Sequence, residues 1–570
     1  MRPSSGVDVL PEQTTVLVVG GGPIGLVTSM LLSGRGIDHV IIEARDEVQG
    51  APAAHVVNAR TFEILKAAGA DMERIEQACQ PVHEGAWVRW VTTLVGEELG
   101  RVPFERHDRM AELDAITPSP LRNLSQHRLE PILRDHVPAL RTGIEWLDDQ
   151  PSPHGITSRL RDLATGEEFQ IASTFVIAAD GAGSRVRRGH EIPMVGPDVL
   201  QSFIMIHAEA DLRAFVGDRP ATLYWTLDPA GRGTFIAHDL ASTWVYMHAW
   251  DPEAEPVESF DPQRCAEIFR QAAGVEDLEL TVANIRPWRM TSQIAERYRD
   301  GGMLLVGDAA HRFPPSGGLG LNSGVADAHN LVWKLAAVID GWAPDALIDS
   351  YEAERRPVAE ANAAKSLENA MRMFEVYLAA GIADTDEESA TNLARALAAP
   401  EGRLAIAEAC HGQAEHFDML GLQLGFSYPP ATAAVLDDAS PSEDVADPVR
   451  DYVPSTRPGG RMPHAWIAEA GSRISTLDLI DTGRFTLLTG SSRWADAGRS
   501  LATGPIPVRT IEVGLDVADP DGTWAEVAGL GQRGAIVVRP DGHVGWRCLE
   551  EAGDLTSTLA TALAALAGHR

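Results

Sequence analysis

The chain has 570 residues, 44% hydrophobic and 23% charged, an ordinary globular composition on more length than one hydrophobic core usually supports, so two or three domains are expected. A formal net charge of -33 excludes nucleic acid and anionic membrane as expected partners, because affinity for a phosphate surface rests on Lys and Arg displacing counterions. Cys79, Cys265, Cys410 and Cys548 stand far apart with no CxxC pair, which predicts neither a metal site nor a disulfide framework and fits a reducing cytoplasm.

"TTVLVVG" is a compact β-branched run with the length of a buried strand. "PIGLVTSMLLSGRG" then has helical apolar spacing and closes at Gly34 and Gly36, and "IDHVIIEAR" is a second buried strand. The apolar run over 16–32 is short for a bilayer span and is broken by Gly20, Gly21, Gly22 and Pro23, while nothing before it has the basic start of a signal peptide. A cytoplasmic protein is expected. The βαβ unit carries Gly20, Gly22 and Gly25 in its first turn and Glu43 at the end of its second strand. Glycines admit backbone N–H groups close to a pyrophosphate, the helix N-terminus adds partial positive charge, and a carboxylate can hold a ribose hydroxyl. The pattern specifies a dinucleotide and leaves NAD and FAD open.

From about 200 to 290 the runs "QSFIMIHAEADL", "ATLYWTLDP" and "STWVYMHAW" alternate and carry aromatics, which predicts antiparallel strands forming a second layer with a pocket. Helical patterns dominate from 322 to about 425. "YPPATAAVLDDASPSEDVADPVRDYVPSTRPGG" then has prolines, acids and small residues without periodicity and reads as a connection. The C-terminal unit contains the strands "RFTLLTG" and "PVRTIEVG", the hairpin "AIVVRPDGHVGWR" turning at Asp541-Gly542, and a last helix with Leu555, Leu559, Leu563 and Leu566 on one face.

Two further motifs bear on the cofactor. "FVIAADGAGSRVRR" is a buried strand ending at Asp180-Gly181, followed by Ser184, Arg185, Arg187 and Arg188. In "GGMLLVGDAAHRFPPSGGLGLNSGVADAHNLVWKLAAVIDG" another buried strand ends at Gly307-Asp308, and a proline-glycine loop runs into a helix expected to start near Asn322. That loop is poor in side-chain bulk, so a flat ligand can lie against backbone at 318–322, with the positive end of the helix favouring an anionic edge.

Taken together, "GGGPIG", "DGAGSR" and "GDAAHRFPPSGGLGLN" resemble the aromatic-hydroxylase family of single-component FAD monooxygenases, the para-hydroxybenzoate hydroxylase-like proteins, over roughly the first 360 residues. "HVVNARTFEIL" and "ITPSPLRNLSQHRLEPIL" are similar to its phenol and chlorophenol hydroxylase branch, and "VVRPDGHVGWR" resembles that branch's C-terminal thioredoxin-like domain, here without CxxC. The resemblance implies an α/β (α+β overall) chain. A discontinuous Rossmann-like FAD-binding domain (14–85, 113–195 and 290–425) would be followed by an antiparallel substrate-binding sheet (86–112 and 196–289), a linker (426–454) and a thioredoxin-like domain (455–570). The last would be structural rather than redox-active and would support a homodimer.

The resemblance also implies roles for individual residues. Gly20, Gly22, Pro23, Ile24 and Gly25 would hold the FAD pyrophosphate, Glu43 with Ala44 the adenosine ribose, and Gln126 the middle of the cofactor. Gly307 and Asp308 would hold the ribityl or pyrophosphate region, Gly318, Gly320, Leu321 and Asn322 the N1 and C2-carbonyl edge of the flavin, and Pro314 and Pro315 the oxygen-reacting side. Asp180, Gly181 and Arg185 match a fingerprint linked to both FAD and nicotinamide binding. The family often has Arg or Lys just after the proline that Pro52 matches; here that residue is Ala53, and Arg45 and Arg60 are the candidates to supply the charge.

No second glycine fingerprint is present, so the implied cycle has NADPH or NADH binding transiently to reduce FAD, and O2 giving a C4a-hydroperoxyflavin that hydroxylates a small phenolic ring. Tyr224, Trp225, Phe235, Tyr246 and His248 are the substrate candidates on the second layer. His55 matches a substrate-facing position, and a histidine titrating near 6.5 is suited to take the phenol's proton. Hydroxylation or Baeyer-Villiger-type oxygenation of a polycyclic aromatic polyketide is the alternative within the fold. A non-catalytic flavin redox sensor or scaffold is the alternative outside it, and would not require the intact proline-glycine loop.

Overall fold

The computed structural model describes residues 10–48, 50, 53–153, 155–430, 434–442 and 444–569, so Pro52 and residues 431–433 and 443 of the connecting stretch lie outside the described residues. Buried β-branched runs place the strand Gln13–Val19 in the middle of a parallel sheet, paired with His39–Glu43 on one side and Glu168–Ala178 on the other. Met303–Leu305 and Leu140–Thr142 extend it outward, also in parallel, and the antiparallel pair Ile144–Ser152 and Gly155–Asp162 joins Glu168–Ala178. The helix Pro23–Gly34 makes the first crossover. Its approach is possible only because Gly25 lacks a side chain: a Cβ there would lie 1.9 Å from the Gly20 carbonyl oxygen. Gly20 itself has φ +111°, which other residues rarely adopt, and a Cβ on it would strike the Ala179 carbonyl at 2.3 Å.

The second layer is a seven-stranded sheet in the order Thr281–Met290, Gln201–Glu209, Thr243–Trp250, Gly233–Asp239, Leu223–Thr226, Trp87–Val91, Glu98–Pro103. All neighbours are antiparallel except Leu223–Thr226 with Trp87–Val91. One face packs Tyr224, Phe235, Trp244 and Tyr246 against Cys265 and Phe269 of the helix Pro262–Ala273. Two long helices, Leu319–Ile339 and Ala346–Ala379, follow, the first starting three residues before the expected Asn322 because Gly318 takes the left-handed N-cap conformation. No helix or strand forms between 426 and 454 among the described residues.

The C-terminal unit is a four-stranded sheet in the order Val508–Glu512, Phe485–Thr489, Ala535–Val538, Val544–Cys548, with the first pair parallel and the others antiparallel. With the helices Ser492–Ser500 and Leu555–Leu566 this is the thioredoxin-like arrangement, and the four leucines of the last helix are all buried. Among the described residues no helix is long and apolar enough to cross a membrane, and no group of His, Cys, Asp and Glu side chains is placed to hold a metal ion.

Buried charges bolt this unit to the first. Glu354 of Ala346–Ala379 accepts from both terminal nitrogens of Arg539 at 2.8 Å and from Lys334 at 2.7 Å, with all three side chains fully buried. Burial alone would raise the Glu354 carboxyl, but Arg539 and Lys334 outweigh it and hold it down to about 2. Since the folded-state pKa lies below the ordinary value, this stabilisation is present in full above about pH 4.5 and is lost as pH falls toward 2. Glu354→Leu leaves the buried Lys334 with the Asn330 amide oxygen as its one hydrogen-bond acceptor among the described residues and Arg539 with Asp541 as its remaining carboxylate, and is expected to destabilise the protein by about 3–5 kcal/mol. Calorimetry should show a lower Tm, and limited proteolysis should cut first between 426 and 454; an unchanged Tm would show that the interface does not depend on this pair.

Candidate active site

A cavity of about 1500 Å³ lies between the strand ends of the parallel sheet, the open face of the seven-stranded sheet and the helix Ala346–Ala379. At the parallel sheet its wall is Gly20, Gly22, Pro23 and Ile24. A Cβ on Gly22 would meet nothing within 4 Å, so packing within the protein does not require glycine there. The helix Pro23–Gly34 has no side-chain cap, and its N-terminus adjoins this wall. Glu43 accepts from the Gly21 N–H at 2.8 Å and from the Arg45 N–H and Nε at 2.9 and 3.1 Å. Burial would raise its pKa, but these donors together hold it below the ordinary value. Ala44, Arg45 and Gln126 continue the same wall.

Two carboxylates face the cavity with unused acceptors. Asp180 receives the Arg185 and Val186 N–H groups on Oδ2 at 2.7 and 3.2 Å, while its buried Oδ1 has no partner. Burial raises its pKa. Asp308 has no hydrogen-bond partner among the described residues; it is open to the cavity yet enclosed by protein, and that enclosure raises its pKa against the opposing charges of His311 and Arg312. Gly181 and Arg185 lie beside the first, and Pro314, Pro315, Gly318, Gly320 and Leu321 beside the second. Gly318 has φ +63°, and a Cβ on it would lie 2.5 Å from the Val56 Cβ, so the loop runs backbone-close against the strand that follows His55. An uncapped helix end, a glycine that packing does not explain and two carboxylates awaiting donors fit an extended dinucleotide with hydroxyl groups along its length.

His55 lines the cavity, and its tautomer follows from its neighbours. Asn123 Nδ2 donates to the Ala237 carbonyl at 2.9 Å, an acceptor only, so Asn123 Oδ1 must accept from His55 Nδ1, also at 2.9 Å. Nε2 of His55 is therefore the lone-pair nitrogen, and it has no partner among the described residues. Burial lowers the His55 pKa to about 4, in place of the 6.5 expected from sequence, with the Asn123 bond opposing the shift. The ring of His238 stands edge-on to it, 5.3 Å away.

Eight sequence candidates lie outside the cavity wall. Gly25 packs against backbone behind the turn, and the Gly307 N–H donates to Asp327. Asn322 braces the loop from behind, accepting from the Asn58 N–H and the Thr61 hydroxyl and donating to the Val56 and Gly318 carbonyls. Arg60 is corrected most clearly: its guanidinium turns away to Glu63 and the Asp541 carbonyl, within the interface to the C-terminal unit. Of the five substrate candidates only Trp225 faces the cavity; Tyr224, Phe235, Tyr246 and His248 point to the opposite face. Side chains alternate along a strand, and the largest aromatics fill the core against Phe269.

The cavity-facing positions of this sheet include Thr234, Ile236 and Met247 on the candidates' own strands and Phe203 and Met205 on the neighbouring Gln201–Glu209, which the two-residue period could have identified. Arg312, one residue past the "GDAAH" stretch, also lines the cavity, and burial lowers its pKa. Met373, Phe374, Tyr377, Phe417 and Gln423 come from helical segments that carry no motif.

Comparison with known proteins agrees with this geometry. Residues 13–366 match the model of an FAD binding domain, and residues 455–569 that of the aromatic-ring hydroxylase C-terminal domain. The chain is 33% identical to a 2,4-dichlorophenol 6-monooxygenase of Cupriavidus pinatubonensis, over 98% of this chain and 97% of that one. It is also 33% identical to a putative polyketide hydroxylase of Streptomyces halstedii, over 95% and 94%. Among solved structures it is similar to the flavin-dependent monooxygenase PieE in complex with FAD and substrate, at 34% identity and a TM-score of 0.92 over 99% of this chain and 100% of that one. Motifs, fold and both matched units converge: the chain belongs to the FAD-dependent aromatic-ring hydroxylases, a family of flavoprotein monooxygenases.

Proposed function

We propose that this chain hydroxylates a phenolic ring within a polycyclic aromatic substrate, using FAD, NADPH or NADH as reductant, and O2. One oxygen atom enters the ring, the other leaves as water, and the reduced nicotinamide provides the two electrons. The observation that carries the substrate class is the cavity: about 1500 Å³ exceeds the roughly 300–1,000 Å³ of a pocket for one ligand, so a large aromatic fits beside the cofactor. Within its lining, Phe203, Met205, Trp225, Met247, Trp288 and Met373 form a methionine-rich apolar surface suited to flat extended rings, beside the polar Thr234, Arg286 and Arg289. Similarity to the putative polyketide hydroxylase supports the same reading.

Bound FAD supplies the oxygen-activating redox chemistry. In this reading the Gly20–Gly22 turn and the uncapped helix end would hold its pyrophosphate, Glu43 a ribose, Gln126 its middle, and Asp308 and Asp180 its hydroxyl-bearing stretch, with Arg185 and Arg45 balancing phosphate charge. The start of the helix Leu319–Ile339 would favour negative charge on a bound flavin, and Pro315 would form part of the wall beside it. His55 Nε2 accepts the phenol's proton. Its low pKa keeps it unprotonated across neutral pH, and the phenolate forming beside it raises its basicity as the proton moves.

Incubation of the FAD-loaded protein with NAD(P)H and a panel of simple phenols and polycyclic phenols, read by mass spectrometry, tests the reading. A product one oxygen heavier is expected from the polycyclic members, and turnover confined to single-ring phenols would overturn the substrate class. The Cβ of Gly22→Val would meet no atom within 4 Å, so the variant should keep its fold by circular dichroism and lose FAD on purification; full flavin occupancy would refute the pyrophosphate assignment. His55→Ala should still oxidise NAD(P)H in the presence of substrate but release hydrogen peroxide, with hydroxylation at least about 10²-fold slower. Wild type should show no inflection near pH 6.5 from this group, because its basic form persists down to about pH 4. Coupling equal to wild type in the variant would remove His55 from the mechanism.

A further inference from the structure

The stretch of cavity wall over 417–423 carries polar groups that the rest of the protein leaves unsatisfied. Gln423, on the short helix Leu420–Leu424, lines the cavity, and its amide oxygen is buried without a partner. Beside it lies Glu105, with 0% exposure and both carboxyl oxygens unpartnered. The Gln423 side chain and the Leu121 N–H come near enough to lower the Glu105 pKa a little, yet neither reaches good hydrogen-bond geometry. Buried carboxyl groups are ordinarily satisfied, so an orphan touching a cavity-lining amide calls for a functional reason.

The backbone points the same way. Glu105 and Arg106 have φ of +39° and +56°, two consecutive residues other than glycine in the left-handed region. Such strain persists only where the surroundings impose it, and it clusters at ligand sites. Here the surroundings are the segment that carries Gln423. The Glu105 N–H donates to the Phe417 carbonyl at 2.9 Å, and Arg106 Nε reaches both oxygens of Asp418 at 3.1 Å. The strained turn and the segment leading into the Gln423 helix are thus clamped together, with the Glu105 carboxyl buried beside them.

We propose that Gln423 is the hydrogen-bonding contact for an oxygen of the aromatic substrate, and that Glu105 is its positioning residue, deciding which end of the Gln423 amide faces the cavity. This rests on the aromatic-substrate reading above. A protonated Glu105 donates to the amide oxygen, which turns the NH2 toward the cavity to meet a carbonyl on the substrate. An ionised Glu105 accepts from the NH2 and presents the amide oxygen, which meets a hydroxyl. Burial and the neighbouring Asp418 push the Glu105 carboxyl up to about 8, with Arg106 opposing them, so the carbonyl-binding state prevails at neutral pH. Arg450, 3.2 Å from Asp418, and Asp451, 3.3 Å from Arg106, complete the charges around this pair. His107 and His416 in the same segments have their pKa values lowered, chiefly by burial, so neither changes charge near pH 8.

The test uses FAD-loaded full-length protein and two probes that do not titrate, anthraquinone and anthracene, with Kd read from the visible spectrum of the flavin. Wild type should bind anthraquinone about tenfold more tightly than anthracene at pH 7, the worth of one hydrogen bond, and lose that preference as pH rises through about 8. Gln423→Leu should abolish the preference at every pH while retaining anthracene. Glu105→Gln should bind both probes and lose the pH dependence. An infrared titration supplies a readout that needs no probe: a carboxylic-acid carbonyl band should disappear near pH 8 in wild type and be missing from Glu105→Gln. Equal binding of the two probes by wild type overturns the Gln423 contact. A pH profile retained in Glu105→Gln, or no titrating band in wild type, overturns the positioning role. Failure of wild type to bind either probe is a third pattern, which sinks the polycyclic reading and this proposal with it. Flavin content and Tm identify a variant that has failed to fold, in which case the infrared titration of wild type decides.

Discussion

The carboxylate of Asp327, fully buried in the helix Leu319–Ile339, accepts from the Gly307 N–H at 3.2 Å, from His311 Nε2 at 2.6 Å and from Arg355 Nε at 2.8 Å. Three parts of the chain are thereby tied to one atom pair: the end of the strand Met303–Leu305, the short strand His311–Arg312 and the helix Ala346–Ala379. The loop between Arg312 and Leu319 contains no strand or helix, so its course depends on this anchor and on Asn322, which ties the first turn of the helix to Val56 and Asn58. A carboxylate withdrawn from water is destabilising unless its acceptors are filled, which makes the arrangement nearly all-or-none. The proline-glycine wall of the cavity is consequently held by side chains that never touch the cavity.

The same economy appears at the interface with the thioredoxin-like unit. Arg461 grips Glu63 with two nitrogens, and Thr117 donates to the same carboxylate, so the helix Ala59–Ala67 is held from outside. That helix begins at Asn58, next to Val56 and His55. A unit without a redox cysteine pair thus fixes the position of the wall opposite the proline-glycine loop, and Arg60 serves that interface instead of a phosphate.

The cavity opens between the parallel sheet, the seven-stranded sheet and the helix Ala346–Ala379, and the electrostatics differ from wall to wall. At the parallel sheet, backbone N–H groups and carboxylates prepare for a charged and hydroxylated ligand. On the seven-stranded sheet the cavity face mixes apolar side chains such as Phe203, Met205, Ile236 and Met247 with Thr234, Arg286 and Arg289, and the largest aromatics lie on the hidden face. Burial lowers His55, raises Asp180 and Asp308, and raises Glu105 most evidently, so in each of these groups the neutral form gains. A site that suppresses stray charge in this way strengthens the few polar contacts a flat aromatic can make.

Read alone, the sequence determined the βαβ unit, the two later glycine-containing turns, the layer of alternating strands, the hairpin at Asp541-Gly542 and the amphipathic last helix, because each rests on local spacing or on backbone conformations that only certain residues permit. The cavity wall at the parallel sheet was legible for the same reason: Gly20, Gly22, Glu43, Asp180 and Asp308 sit at strand ends or turns whose geometry follows from their immediate neighbours. Tertiary structure decided which face of each strand meets the cavity, and so replaced Tyr224, Phe235, Tyr246 and His248 with Phe203, Met205 and Met247. It decided that Arg60 pairs with Glu63, that His55 is buried against Asn123 and loses basicity, and that Glu105 and Gln423, 318 positions apart, come together. The division of each strand into two faces was latent in its two-residue period, whereas the other outcomes depend on desolvation and on contacts between residues distant in the chain, and neither of these leaves a periodic trace in the order of the amino acids.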